Sequence, residues 1–147
     1  PERARAMVGM LHGLAEVLPV VLPLHPRGRP ALEALGLGPD ERLRIVEPLP
    51  YLEFLGLVRD AALVVTDSGG IQEETTFMGV PCLTVRPNTE RPVTISHGTN
   101  RLVDPEAVPA AARSIVEHGF ERPAEGPPLW DGHAGERIAE VVAAALQ

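Results

Sequence analysis

The chain has 147 residues, 44% of them hydrophobic but only 3% aromatic, with a formal charge of −7 and a single cysteine. That length supports one domain, residues 1–147, and a core of Leu, Val and Ala favours layered helices and strands over a β-sandwich. The acidic balance excludes nonspecific binding to nucleic acid or an acidic membrane surface, and the lone Cys82 excludes an intramolecular disulfide framework.

Apolar residues at helical spacing from Ala4 to Leu18 predict an opening amphipathic helix. A doubly wound domain normally starts on a strand, so a helix just after Pro1 suggests that residues upstream have been removed. Residues 20–24 read as a buried strand ending at His25, residues 31–35 as a short helix and residues 43–46 as a second strand. A helix over 51–59 is expected to turn Leu52, Leu55 and Val58 inward, and residues 62–66 form the clearest strand. A helix over 68–78, closed by Gly79, and a strand over 82–85 complete a βαβ unit. Residues 87–98 read as a polar loop and residues 101–103 as a last strand. A helix over 105–118 should bury Val108, Ala112, Ile115 and Val116. The final helix, 134–146, carries an apolar stripe that needs cover, on this domain or on another. Strands alternating with helices predict an α/β, Rossmann-like parallel sheet with helices on both faces. The apolar run at 17–24 is interrupted by Pro19 and Pro23, and nothing resembles a signal peptide, so a cytoplasmic protein with no membrane partner is expected.

Chemistry concentrates where the strand at 62–66 leads through Asp67-Ser68-Gly69-Gly70 into a helix. Free backbone N–H groups and the positive end of the helix dipole meet there at the carboxyl edge of the sheet, which suits a diphosphate. Gly69 and Gly70 allow close backbone approach and Ser68 offers a hydroxyl donor. Glu74, one turn on, could accept bonds from neighbouring ribose hydroxyls; the competing reading is that Glu73 and Glu74 only complement the helix dipole. These carboxylates call for a compensating cation. Arg91, in Thr89-Glu90-Arg91-Pro92, could supply it and bridge phosphate oxygens, with Arg86 as the competing candidate and an ordinary exposed arginine as the alternative.

Other chemistries fit less well. Asp67-Ser68-Gly69-Gly70 resembles a serine-protease nucleophile segment, but those enzymes are disulfide-rich β-barrels, and Thr66 breaks the G-x-S-x-G elbow of α/β-hydrolases. Five scattered histidines lack metal-site spacing, so no metal is implied; only His25, at a strand end, stands at the binding edge. Cys82 reads as a small buried residue.

Thr66-Asp67-Ser68-Gly69-Gly70-Ile71-Gln72-Glu73-Glu74, Gly79-Val80-Pro81 and Thr89-Glu90-Arg91-Pro92 resemble, in order and spacing, the non-hydrolysing UDP-N-acetylglucosamine 2-epimerases. The likeness runs from residues 20–26 through 51–55 to Asp131-Gly132, nearly the whole chain. It implies the second of two Rossmann-like domains in a glycosyltransferase-B arrangement, with the N-terminal catalytic domain absent. It also implies that Phe54 packs by the uracil, Ser68 and Gly69 hold the diphosphate, Glu74 holds the ribose hydroxyls and Arg91 binds the nucleotide. The implied reaction inverts C2 of the sugar by eliminating and re-adding UDP, without a cofactor, and supplies sugar nucleotide for cell-surface polysaccharide. No catalytic residue is assigned to this chain, because the family's acids and bases lie in the other domain. The partners implied are a UDP-sugar, that domain and, in the longer protein, a second subunit. His25 matches a histidine of an activating second UDP-sugar site in some bacterial members. Pro128-Leu129-Trp130-Asp131-Gly132 departs from a common family pattern, which points to a subfamily with a different N-acetylated or uronic UDP-sugar. Two alternatives are a glycosyltransferase-B-type transferase domain and a stand-alone nucleotide-binding module.

Overall fold

The computed structural model describes residues 2–146. Helices and strands alternate: α1 (Glu2–Ala15), β1 (Val20–Pro23), α2 (Arg29–Glu33), β2 (Leu43–Val46), α3 (Tyr51–Arg59), β3 (Val64–Thr66), α4 (Gly69–Met78), β4 (Cys82–Thr84), α5 (Val93–Ser96), β5 (Asn100–Leu102), α6 (Val108–His118) and α7 (Ala134–Ala145). A 3-10 turn, Pro105–Ala107, leads into α6. All strand pairings are parallel, and helices flank them, so the fold is α/β as expected. Among the described residues no helix is long and apolar enough to cross a membrane.

The core lies where α1 packs on α6 over the strands. Leu11 and Leu14 of α1 meet Val108, Ala112 and Ile115 of α6, with Leu43 of β2 and Leu83 of β4 beneath them. Leu43 and Leu83 are fully buried, each contributing about 2 kcal/mol relative to exposure. α4 is stopped by Gly79, whose φ of +70° lets its N–H close back on the helix's last carbonyls. Gly98 has a different reason to be glycine: a Cβ there would collide with the Thr94 carbonyl and lie 2.5 Å from Thr76 Oγ1.

Several expectations need correction. The strands form two sheets, β1-β2 and β3-β4-β5, not one. Leu52 is 79% exposed because it lies about 120° around α3 from the buried Val58. Val116 is 50% exposed, about 80° from Val108 at the edge of the α6 stripe. The segment 87–98 is not all loop, since α5 forms within it. The α7 stripe is not covered by this domain: Ile138, Val141, Val142 and Leu146 are between 51% and 83% exposed.

The turn into α7 is held by charge. Asp131 binds Arg137 through two bonds, 2.9 and 3.0 Å, and accepts the His133 N–H at 3.0 Å. The Arg137 guanidinium, and then that backbone N–H, lower the Asp131 carboxyl from 3.8 to about 2. A depressed folded pKa stabilises above the unfolded value and is lost as pH falls through the folded one. Protonation of Asp131 is therefore expected only near pH 2, with the α7 turn loosening between pH 3.8 and 2. An NMR titration of the Asp131 carboxyl should find that midpoint, and Arg137→Gln should return it toward 3.8.

Candidate functional site

The carboxyl end of β3 delivers the chain directly to the start of α4. Ser68 is the N-cap, in extended conformation, but its hydroxyl makes no capping bond. Instead its backbone N–H donates to Thr66 Oγ1 at 3.0 Å, which fixes the turn from below. The Ser68 side chain is exposed at the helix mouth, where unpaired N–H groups and the dipole favour an anion. Neither Gly69 nor Gly70 has positive φ. A Cβ built on Gly69 meets nothing within 4 Å, and one on Gly70 meets only Ser68 Oγ at 4.0 Å. The fold itself therefore does not require glycine at either position, so any such requirement would have to come from outside the fold.

One turn into α4, Glu74 is half-buried and tied to a neighbouring helix. The Tyr51 hydroxyl, at the first residue of α3, donates to Glu74 Oε1 at 3.0 Å. The same bond to the carboxylate raises the Tyr51 pKa, which keeps the phenol protonated and donating. Glu74 Oε2 is buried and has no partner. A buried carboxylate oxygen without a donor is costly, so this one is poised to accept a bond from a hydroxyl or amide.

Arg91 reaches the same helix. Its Nε lies 2.8 Å from Glu73 Oε1, an ion pair at an angle that does not make a hydrogen bond. Arg86, the competing cation, is occupied: both its terminal nitrogens bind Glu90 at 3.0 Å. Glu90's own backbone N–H, followed by Arg86, holds that carboxyl below its usual range.

The loop carrying Arg91 rests on a buried polar network that the sequence did not reveal. Thr89 accepts the Arg91 N–H at 3.0 Å and donates its hydroxyl to Gln72 Oε1 at 2.5 Å. Asn100 Nδ2 donates to Gln72 Oε1 and to Thr94 Oγ1, at 3.0 and 3.1 Å, while Thr84 donates to Asn100 Oδ1 at 2.6 Å. Thr94 in turn donates to the Arg91 carbonyl at 2.7 Å. Gln72, Thr84 and Thr94 are fully buried and Asn100 is 2% exposed, so α4, β4, β5 and α5 converge to fix one surface loop. Cys82, beside this network, is buried, and burial pushes its thiol pKa up, in keeping with a packing role.

The family model described as UDP-N-acetylglucosamine 2-epimerase matches residues 1–143. The chain belongs to that family. The UDP-N-acetylglucosamine 2-epimerase of Methanococcus maripaludis is 38% identical over 129 residues, covering 84% of this chain and 34% of that protein. The UDP-2,3-diacetamido-2,3-dideoxy-D-glucuronate 2-epimerase of Pseudomonas aeruginosa is 40% identical, covering 97% of this chain and 40% of that protein. The structure of the Neisseria meningitidis UDP-GlcNAc 2-epimerase bound to UDP-GlcNAc superposes with a TM-score of 0.83 at 29% identity, covering 98% of this chain and 41% of that one. The chain thus spans between 34% and 41% of the length of these relatives.

In this member of the family the remaining candidates are less closely gathered. Phe54 is half-buried on α3 and, with Asp67 and Ile71, lines the large cavity beside β3. The helical spacing of 51–59 singled out Leu52, Leu55 and Val58 and not Phe54. His25 is exposed after β1, and its Nδ1 accepts the Arg27 N–H at 3.2 Å, a bond within its own turn. Among the described residues, no cluster of three or more metal-ligating side chains forms. Tyr51 is the participant that sequence reading passed over; its signal was an aromatic hydroxyl at a helix start, which has meaning only once α3 is placed beside α4.

Proposed function

We propose that residues 1–147 are the nucleotide-binding domain of a larger UDP-sugar 2-epimerase, whose N-terminal domain carries the proton-transfer groups. The observation that carries this reading is the pairing of a bare helix N-terminus with Glu74, held by Tyr51 through one oxygen and left with a second, buried, partnerless oxygen. In this reading the Ser68 hydroxyl and the N–H groups at Gly69 and Gly70 receive the diphosphate, Arg91 offsets its charge, Glu74 accepts the ribose hydroxyls and Phe54 packs against the uracil. The domain then stabilises UDP as a leaving group while the other domain moves the proton at C2, so this chain alone is expected to bind nucleotide without turning over. The exposed α7 stripe supports a role within a larger protein over a stand-alone module.

A second reading of the substrate has its own support. The 40%-identical Pseudomonas aeruginosa relative is named for a diacetamido glucuronate, and Trp130-Asp131-Gly132 departs from the pattern common in UDP-N-acetylglucosamine enzymes. Assaying the full-length protein with both UDP-sugars decides between them.

Titration calorimetry with UDP and GDP tests the nucleotide assignment. Saturable UDP binding, weaker for GDP and weakened about five- to tenfold by Ser68→Ala, is expected for the loss of one hydroxyl donor to a charged group. Equal affinities for the two nucleotides, or an unaffected Ser68→Ala variant, would remove Ser68 and the uracil contact from the reading.

A further inference from the structure

The start of α3 is joined to the part of α4 that carries the nucleotide candidates. Tyr51 and Phe54 stand three residues apart on α3, so they are neighbours on one side of that helix. Phe54 lines the cavity beside β3 together with Ile71 of α4. The Tyr51 hydroxyl reaches Glu74, one turn beyond Ile71 on the same helix.

Glu74 has little else to hold it. Its side chain is flexible, and among the described residues no cation pairs with it: Arg91 lies against Glu73, and Arg86 is bound to Glu90. The Tyr51 hydroxyl, 3.0 Å from Oε1, is the one hydrogen-bond donor that the carboxylate has among those residues. The two oxygens of a carboxylate share a plane with their carbon, so holding Oε1 also restricts where Oε2 can point.

That bond does little for the fold. Tyr51 is 61% exposed, and a hydrogen bond open to water replaces a bond to solvent at small net gain. The buried residue of α3 is Val58, near the other end of the helix. What the bond changes is the kind of group the site can receive. The phenol has one proton and commits it to Glu74, so toward a ligand Tyr51 and Glu74 Oε2 present only lone pairs. Oε2 is already buried and unpaired, so a hydroxyl that reaches it relieves a desolvated charge. A ligand with hydrogen in place of that hydroxyl forgoes the gain.

We propose that Tyr51 is the positioning residue for ribose recognition: by holding Oε1 it aims Glu74 Oε2 at the sugar ring, and so makes the domain selective for ribonucleotides over their deoxy counterparts. This role rests on the reading of Glu74 as the ribose acceptor, and adds to it the residue that fixes the acceptor and the selectivity that follows. Because Tyr51 and Phe54 share α3, the helix that meets the base also sets the ribose contact.

Titration calorimetry of the full-length protein with UDP and with 2′,3′-dideoxy-UDP tests it. Wild type should prefer UDP by about 30-fold, the gain from a hydroxyl bonded to a charged acceptor. Tyr51→Phe should weaken UDP about tenfold and leave dideoxy-UDP within about twofold of wild type, which also shows that the variant is folded. In a Glu74→Gln background the same substitution should change neither affinity, since the carboxylate it positions is gone. Equal losses for the two nucleotides in Tyr51→Phe would reduce Tyr51 to a tie between helices and overturn the proposal. An undiminished preference for UDP in that variant would overturn it too, while leaving Glu74 on the ribose. A wild-type protein that binds the two nucleotides alike, or neither, would remove Glu74 from the ribose and the role of Tyr51 with it.

Discussion

Replacing Arg91 with alanine is expected to weaken UDP binding about 100-fold, and adding Glu73→Gln is expected to recover part of that loss. The first effect removes a charge-assisted partner of the diphosphate. The second follows from the ion pair: Arg91 Nε sits 2.8 Å from Glu73, so deleting the arginine uncovers a carboxylate just past the first turn of α4, close to where the anion would bind. Two negative charges then face each other in a site whose helix dipole favours only one. Glu73→Gln removes that repulsion and should restore affinity about three- to tenfold in the Arg91→Ala background. In the wild-type background it should tighten binding a few-fold, by releasing Arg91. Calorimetry on the four variants closes the cycle. An Arg91→Ala protein that binds UDP as well as wild type would confine Arg91 to its bond with Glu73. Loss without recovery would mean that Glu73 is not felt by the ligand.

Asn100→Ala should destabilise the fold by about 3 kcal/mol, because it strands several buried groups at once. Thr84 loses its acceptor, and Gln72 Oε1 and Thr94 Oγ1 each lose a donor, all inside a region closed to water. Gln72 already has one buried unpaired nitrogen, so the network has little slack. Chemical denaturation should register the change as a lower midpoint. The same substitution should lower UDP affinity about tenfold under conditions where the variant is folded, since Gln72 and Thr94 anchor the loop at Thr89 and at the Arg91 carbonyl. An unchanged affinity alongside the stability loss would separate the network from the site.

Local signals were enough for much of this chain. Apolar periodicity and the Pro and Gly stops placed α3, β2 and the α4–β4 unit almost residue for residue, because each buries a face whose spacing is written locally. The Ser68-Gly69-Gly70 turn was legible for the same reason: strand, glycines and helix follow one another within a few residues. α5 was missed because its single turn is pinned through its own buried Thr94, bonded to Asn100, and has no stripe of its own. Leu52 and Val116 were misplaced because hydrophobicity alone does not say where a stripe ends.

By itself the sequence determined the α/β class, the family and most of the order of elements, since these depend on residue types at short, fixed separations. Only the tertiary structure decided that Tyr51 holds Glu74 across 23 positions, that Gln72 and Asn100 meet across 28, and that β1 and β3 stand apart around an open slot. Those features join residues far apart in the chain. Their energies arise from burial and pairing that exist only after the layers have packed.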